Sequence, residues 1–528
     1  MFVFSKSNVF VLLAGILLLV SCRKGETENS ASLDSVSVLT SDVRITKGGT
    51  STVRFITDPP ELQFNYHVGA SGCCISLGGS PEGFYLAEVS RVGTGIYEAT
   101  LRDSGGDEAY IDKACIVYSD AGGYVSSNTF TVTRVYTEEL ADYERTGLPV
   151  VYLDTRTPVK SKDIWTEGSV RIDGRESSAS MEQVSCSVKG RGNTTWTWPK
   201  KPYTVRLEKK REVLGMPEHK RWVLLANFMD RTLMRNIVSM HVGSLLGNLA
   251  WTPRCRSVEL VMNGKHQGTY LLIEQVRVDG DRVDIGGKDA FMLESDFHYN
   301  NKVQWIDHHG SCNSWSYGIP FSVRHPDPDS VSTDQVERIK KYISTVAGAL
   351  YSDGFEEKYP AYLDVDSFID YWIAFEVMGN HELQNPGSVF MHKDDGGLLT
   401  AGPLWDFDWG VLSYRTSPGA QRGLINDHAI WYDRLFDDPA FRKALKARWE
   451  QVLPELRGVP SFIDSQKAAL EASAKLNFAM WNPADDASQN GGRIINGDEN
   501  MSFDAAVERL RSIYIERLDV ISASLAAM

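Results

Sequence analysis

The stretch GPLWDFDWG, residues 402–410, sets two aspartates, Asp406 and Asp408, two positions apart and flanks each with aromatic rings. Alternate side chains of an extended strand point to opposite faces, so the spacing predicts Trp405, Phe407 and Trp409 on one face and both aspartates on the other. Paired carboxylates repel unless a cation lies between them. Mg²⁺, a hard ion that takes oxygen ligands, is one natural partner. The same residues also suit a solvated strand edge or a helix N-cap, and the stretch alone leaves these readings open.

Upstream of it, strand-like runs dominate from LPVVYLDT at 148 to about 297. The clearest is SVELVMNGKHQGTYLLIEQ, where Asn263-Gly264 between alternating segments predicts a two-residue hairpin. DRTLMRNIVSMHVGSLLG interrupts them; Asp230 is a candidate N-cap, and Leu233, Ile237 and Met240 share one face of an amphipathic helix. Beyond 330 the pattern turns helical, in VERIKKYISTVAGALY, VDSFIDYWIAFEVMGN, PAFRKALKARWEQVL and FDAAVERLRSIYIERLDVISASLAAM. Residues 413–423 and 483–500 read as long loops, which in compact domains are often functional. A β-rich part thus precedes a helical part that holds the acidic stretch.

The N-terminus reads differently. Residues 1–22, MFVFSKSNVFVLLAGILLLVSC, carry one early lysine and an apolar run too short to span a bilayer, which predicts a signal peptide over residues 1–21. The ending LVSC resembles the lipobox of bacterial lipoproteins. That resemblance implies cleavage before Cys22, lipidation of Cys22, and a life outside the cytoplasm on a membrane, the outer membrane facing periplasm or cell surface. Residues 22–36 are polar and aperiodic and read as a tether. Residues 37–136 give short alternating runs between Gly, Pro, Asp and Ser turns, which predicts an immunoglobulin-like β-sandwich.

Composition narrows the function classes. A net charge of −14 argues against nucleic acid as a partner, which would need a basic footprint. Six cysteines remain beyond Cys22, at 73, 74, 115, 186, 255 and 312, with no CxxC spacing for zinc or redox chemistry. Pairing of Cys73 or Cys74 with Cys115 and buried free thiols both fit. GxSxG and HExxH patterns are absent, which removes the simplest hydrolase readings.

Against this acidic background, KGRGNTTWTWPKKPYTVRLEKKR, residues 189–211, holds eight Lys or Arg and one Glu. Such a cluster suits an anionic partner, with charge-assisted donors for phosphate and glycines that allow close backbone approach, or else it is a solvated strand face. Together with a carboxylate pair suited to Mg²⁺, it has the parts that phosphoryl transfer needs.

In order and separation, KGRGNTTWTWPKKPYTVRL, LGMPEHKRWVLLANFMDRTLMRN, RSVELVMNGKHQGTYLLIEQVR and GPLWDFDW resemble the CotH kinase family over roughly residues 148–480. The resemblance implies an α+β atypical protein-kinase-like domain over 148–528, with a β-rich N-lobe and a helical C-lobe. It also implies use of ATP with Mg²⁺ or Mn²⁺ and phosphorylation of Ser or Thr in a protein substrate. By that likeness Asp406 takes the metal-binding place and Asp408 supports it. Arg206 stands where the family commonly has a lysine and contacts phosphate, with Arg191, Lys200 and Lys201 nearby.

The segment GNHELQNPGSVFMHKDDGG departs from the pattern. Glu382 falls where a catalytic aspartate is expected, and Ser388, eighteen residues before Asp406, falls where a metal-binding asparagine is expected; Asn385 could serve the metal instead. Asp307-His308-His309 and Glu274 are weaker candidates, and Trp196, Trp198 and Tyr203 suit packing better than a ring ligand. Two readings result: an extracytoplasmic kinase, and a kinase-like surface scaffold that binds a protein or glycan.

Overall fold

A computed structural model describes residues 33–46, 48–60, 75–79, 83–104, 110–120, 123–135, 141–298, 301–309, 318–413, 423–484 and 496–528. The signal peptide, Cys22, Cys73, Cys74 and Cys312 lie outside these residues. Among the described residues no helix is long and apolar enough to cross a membrane.

The chain divides into two compact units, the first comprising residues up to Arg191, Tyr203–Lys220 and Glu259–Gly268, and the second Gly192–Pro202, Arg221–Val258 and Thr269–Met528. In the first unit, strands β1 (Ser35–Val38), β2 (Asp42–Thr46), β3 (Thr50–Asp58), β4 (Ile75–Gly78), β5 (Phe84–Gly93), β6 (Ile96–Asp103), β7 (Tyr110–Asp120), β8 (Gly123–Ser126) and β9 (Phe130–Val135) form two sheets. Their orders are β1-β3-β6-β5 and β2-β9-β7-β4, with β8 on β7. Alternating residues such as Val53 and Phe55 on β3 and Ile116 on β7 point into one shared apolar core. Leu33 is buried in that core and β1 begins at Ser35, so the sheets start earlier than residue 37 and take up the end of the expected tether. Cys115 carries a free thiol, so of the two readings of the cysteines the free thiol holds at this position.

The next seven strands close a barrel: β10 (Val150–Thr155), β11 (Thr166–Asp173), β12 (Met181–Gly190), β13 (Tyr203–Val213), β14 (Met216–Leu225), β15 (Cys255–Met262) and β16 (Lys265–Glu274), in the order β10-β11-β12-β13-β14-β16-β15. Asn263 and Gly264 both take positive φ, 51° and 74°, as the tight β15–β16 turn requires.

The second unit holds a five-stranded sheet, β18-β19-β17-β20-β21, from β17 (Phe291–Ser295), β18 (Gln304–Asp307), β19 (Ile319–His325), β20 (Val389–Lys393) and β21 (Leu399–Ala401). Around it lie helices α1 (Arg235–Leu245), α2 (Thr333–Leu350), α3 (Val365–Val377), α4 (Tyr432–Asp437), α5 (Pro439–Leu456), α6 (Val459–Met480) and α7 (Phe503–Ala527). The four expected helices beyond 330 are present, and α4 and α6 join them.

Two local expectations fail. Asp230 does not cap α1, which starts five residues later; its carboxylate instead accepts from the Thr232 and Arg235 amides, both at 2.9 Å. Nor is α1 amphipathic: it buries Arg235, Asn236 and Ser239 along with its apolar residues. Residues 402–410 are not a strand either. The chain leaves β21 and turns, with Asp406 at φ +65°.

Candidate active site

The sheet of the second unit gathers the carboxylates. Strand β17 runs antiparallel to β20, with Ser295 opposite Val389, and β20 runs antiparallel to β21, with Met391 opposite Ala401. The end of β17, the turn entering β20 and the exit of β21 therefore meet at one edge. They carry Glu294 and Asp296, Glu382, and Asp406 and Asp408 respectively.

The turn between α3 and β20 is tied from behind. The Asn380 carbonyl accepts from Asn426 Nδ2 at 3.0 Å, Gln384 donates to the Ile425 carbonyl, and the Pro386 carbonyl accepts from the Phe297 amide at 2.7 Å. Its functional side is not satisfied in the same way. Among the described residues, Glu382 Oε2, Asn385 Oδ1 and Asn380 Nδ2 are buried without a hydrogen-bond partner of good geometry, although the Asn380 amide is near enough to act on the Glu382 carboxyl. Three orphaned polar atoms in six residues are costly, because each forfeits its hydration. A Cβ on Gly387 would stand 3.0 Å from Glu382 Oε1, so a glycine there leaves the carboxylate its room.

Burial pushes the Glu382 carboxyl well above the usual carboxylate range, and the charges of Asp406, Asp408 and, more weakly, Asp296 push the same way; the Asn380 amide opposes them. Burial also raises Glu294, against its ion pair with Arg324, and Asp406 adds to the rise. The edge is a concentration of negative charge in a half-buried setting, with Arg324 paired to Glu294.

The acidic turn itself is clamped. Asn236 Oδ1 on α1 accepts from the Phe407 amide at 2.8 Å, and Asn496 Oδ1 accepts from the Gly410 amide at 2.9 Å. Arg235, fully buried, donates Nε to the Val411 carbonyl at 2.8 Å and pairs with Asp230 and with Asp498, the latter at 2.6 Å. The three rings do not share a face. Trp405 is buried, Phe407 packs edge-on against Phe375 at 4.7 Å, and half-exposed Trp409 stacks on Trp198 at 6.4 Å. Sequence reasoning missed Arg235, Asn236, Asn496 and Asp498. The signal was present in LANFMDRTLMRN, where polar residues sit inside an otherwise apolar run.

The basic segment fares unevenly. Lys200 is buried, its ammonium donating to the Ala226 carbonyl and Asn477 Oδ1, each at 2.8 Å, and to the Thr269 carbonyl, with the Tyr270 ring 4.5 Å away. Its three protons are spent on protein acceptors, so the phosphate role expected of Lys200 is corrected to a structural one. Lys201 donates to the Trp196 carbonyl at 2.8 Å. Arg206 and Arg191 belong to the first unit, where the Arg206 guanidinium lies 4.5 Å from the Trp165 ring centroid. Trp198 is core, as its packing reading expected, and Glu274 binds Arg254 at 2.9 Å at the end of β16. Ser388, half-buried at φ +55°, leads into β20.

Among the described residues no three His, Cys, Asp or Glu side chains come together as a metal site by themselves. Mg²⁺ bound with a nucleotide asks for less: it takes one or two carboxylates and completes its shell with phosphates and water. Asp406, Asp408 and the orphaned Asn385 carbonyl are the hard oxygen donors such an ion accepts, so the residues present fit it.

Inner spore coat protein H of Bacillus subtilis (strain 168) is 24% identical over 307 residues, 56% of this chain and 77% of that protein. Two solved structures overlap in part. Surface layer protein SbsC, domains 4–9, covers 36% of this chain and 30% of its own at 12% identity and a TM-score of 0.16. The Yersinia pseudotuberculosis adhesin InvE covers 31% and 42% at 12% identity and a TM-score of 0.14, and likeness at that level assigns no fold. The CotH kinase protein family matches residues 188–521, and the chain belongs to that family.

Proposed function

We propose that this protein is an ATP- and divalent-cation-dependent protein kinase of the CotH type, acting on Ser or Thr of a protein substrate outside the cytoplasm and held to a membrane through a lipid on Cys22. The observation that carries it is the buried Glu382 Oε2, with no hydrogen bond of good geometry, close enough to Asp406 and Asp408 to feel both charges. Asp406 and Asp408 would hold Mg²⁺ or Mn²⁺, with Asn385 or Ser388 as a further oxygen donor. A bound cation supplies charge neutralisation for the transferring phosphoryl group. Glu382, whose carboxyl is raised first by burial and then by the two aspartate charges, would ionise more readily once those charges are neutralised, and Oε2 would then be placed to take the proton of an incoming hydroxyl. On sequence grounds Arg191, Lys201 and Arg206 remain the cations proposed for phosphate.

Thermal melts of the wild type and Asp406→Asn, with and without Mg·ATP or Mn·ATP, test this, because a ligand that binds only the folded state stabilises it. The expected outcome is a nucleotide-dependent rise in the wild type that disappears in Asp406→Asn, followed by radiolabel transfer from ATP to an acceptor protein. No rise in either protein removes the kinase. A second reading, a kinase-like scaffold that binds a protein or glycan partner, draws support from Glu382 and Ser388 standing where an aspartate and an asparagine are expected. It predicts no transfer even where nucleotide binds.

A further inference from the structure

A cavity of about 420 Å³ opens at the other end of the strands that carry the carboxylates. Phe291 is paired with Lys393 there, four residues from the Ser295–Val389 pair, which puts about 13 Å of strand between the cavity and the acidic edge. One wall is a face of α2 spaced as a helix requires, Gln335, Arg338, Ile339, Tyr342 and Thr345. The remaining apolar surface comes from Phe291, Pro326 and Tyr362.

The charge of this lining is the reverse of the protein's. Lys288, Arg338, Lys341 and Lys393 line it against one carboxylate, Asp289, which pairs with Arg338 at 2.8 Å, in a chain of net charge −14. Asp394 and Asp395, next along the chain, are not part of the lining and accept from the Gly286 and Lys288 amides. Lys393 is the unusual member. It is 6% exposed, its ammonium lies 5.0 Å from the Tyr342 ring centroid, and it donates to the Asp394 carbonyl at 2.9 Å. The Asp394 carboxylate, next along the chain, is close enough for the Lys393 charge to act on it. With Lys288, Arg338 and Lys341, Lys393 gives an anion entering the cavity several charge-assisted donors to meet.

We propose that this cavity is a second ligand site, for a small organic anion: a carboxylate or phosphate carried on a ring or short apolar body. The anionic group would meet Lys393 with Arg338 at the mouth, and the body would lie on Phe291, Tyr342 and Ile339. The volume is that of ordinary small-molecule pockets, and an apolar lining with a few convergent polar groups is their usual make-up. The site is separate from the nucleotide site and does not depend on that reading.

Calorimetric titration of the full chain with phenyl phosphate, benzoate and neutral benzyl alcohol tests it. Saturable binding of an anionic probe is expected, weakened about tenfold or more in Lys393→Met, the loss of one charge-assisted hydrogen bond. Thr345→Trp, which fills the cavity from a half-buried wall position, should abolish it and decides the matter if Lys393→Met does not fold. Asp406→Asn should leave it unchanged. The proposal is overturned if neither anion binds, if benzyl alcohol binds as tightly, if binding survives Thr345→Trp, or if a well-folded Lys393→Met binds the anions as tightly as the wild type.

Discussion

Of the three segments that supply the carboxylates, the two turns are built in opposite ways. The turn 405–413 is saturated: backbone groups of Phe407, Gly410 and Val411 are each taken by a side chain from elsewhere in the second unit, Asn236, Asn496 and Arg235. The turn 380–388 is tied only from behind and leaves three buried polar atoms unmet. The difference separates a part whose geometry is fixed before any ligand arrives from a part whose polar atoms a ligand must satisfy. Fixed geometry at the metal-bearing aspartates is what phosphoryl transfer rewards, since misplacement of about 1 Å can cost about 10²-fold.

The largest expected effect comes from breaking the clamp. Arg235→Met removes the partner of two buried carboxylates, Asp230 and Asp498, and leaves the Val411 carbonyl unmet. Stranding buried charge in this way costs about 3–5 kcal/mol. Urea unfolding at pH 7 should show a loss of that order. A loss below about 1 kcal/mol would mean that 405–413 holds itself in place.

The same contrast explains what the sequence could reveal. The β15–β16 hairpin, the helices α2, α3, α5 and α7 and the two-sheet N-terminal part follow from local period and turn chemistry, and the structure has them. Glu382, Asp406 and Asp408 were singled out one by one through the family resemblance; that the charges of both aspartates act on the Glu382 carboxyl is what the structure adds. The shape of the acidic turn was not. Alternation of rings and aspartates fits a strand and a turn equally, and the choice was made by Asn236 and Asn496, 171 and 86 residues away from the amides they hold. Lys200 misled for a related reason: a lysine in a cationic run reads as solvent-facing until Asn477, 277 residues on, is seen to accept from it.

A smaller effect sharpens the open half. Burial and the two aspartates raise the Glu382 carboxyl, so the folded protein keeps that proton to higher pH than the unfolded chain does. The associated stability is present below the unfolded value, near 4.5, and is lost as pH rises through the raised folded value. Glu382→Gln, which never ionises, escapes that loss. The variant should therefore melt higher than the wild type at pH 8, by about 1 kcal/mol in stability, with little difference at pH 4. Adding Mn²⁺ should narrow the gap by neutralising the aspartates. A variant less stable than the wild type at pH 8 without metal would show that Glu382 is satisfied in solution and that the turn is not open.

The smallest expected effect concerns Ser388, which enters β20 at φ +55°. Among non-glycine residues asparagine is one of the few that occupy this left-handed region readily, because its short polar side chain can bond locally. Ser388→Asn places there the residue type that the family resemblance expects, and should leave stability unchanged or raise it by about a few tenths of a kcal/mol. Its effect on metal binding discriminates between two oxygen donors on one turn. If the orphaned Asn385 carbonyl is the donor, Mn²⁺-dependent stabilisation is the same in Ser388→Asn as in the wild type and falls in Asn385→Ala. A clear gain in Ser388→Asn together with no loss in Asn385→Ala would transfer the role to position 388, and the open turn would then owe its missing partner to one serine.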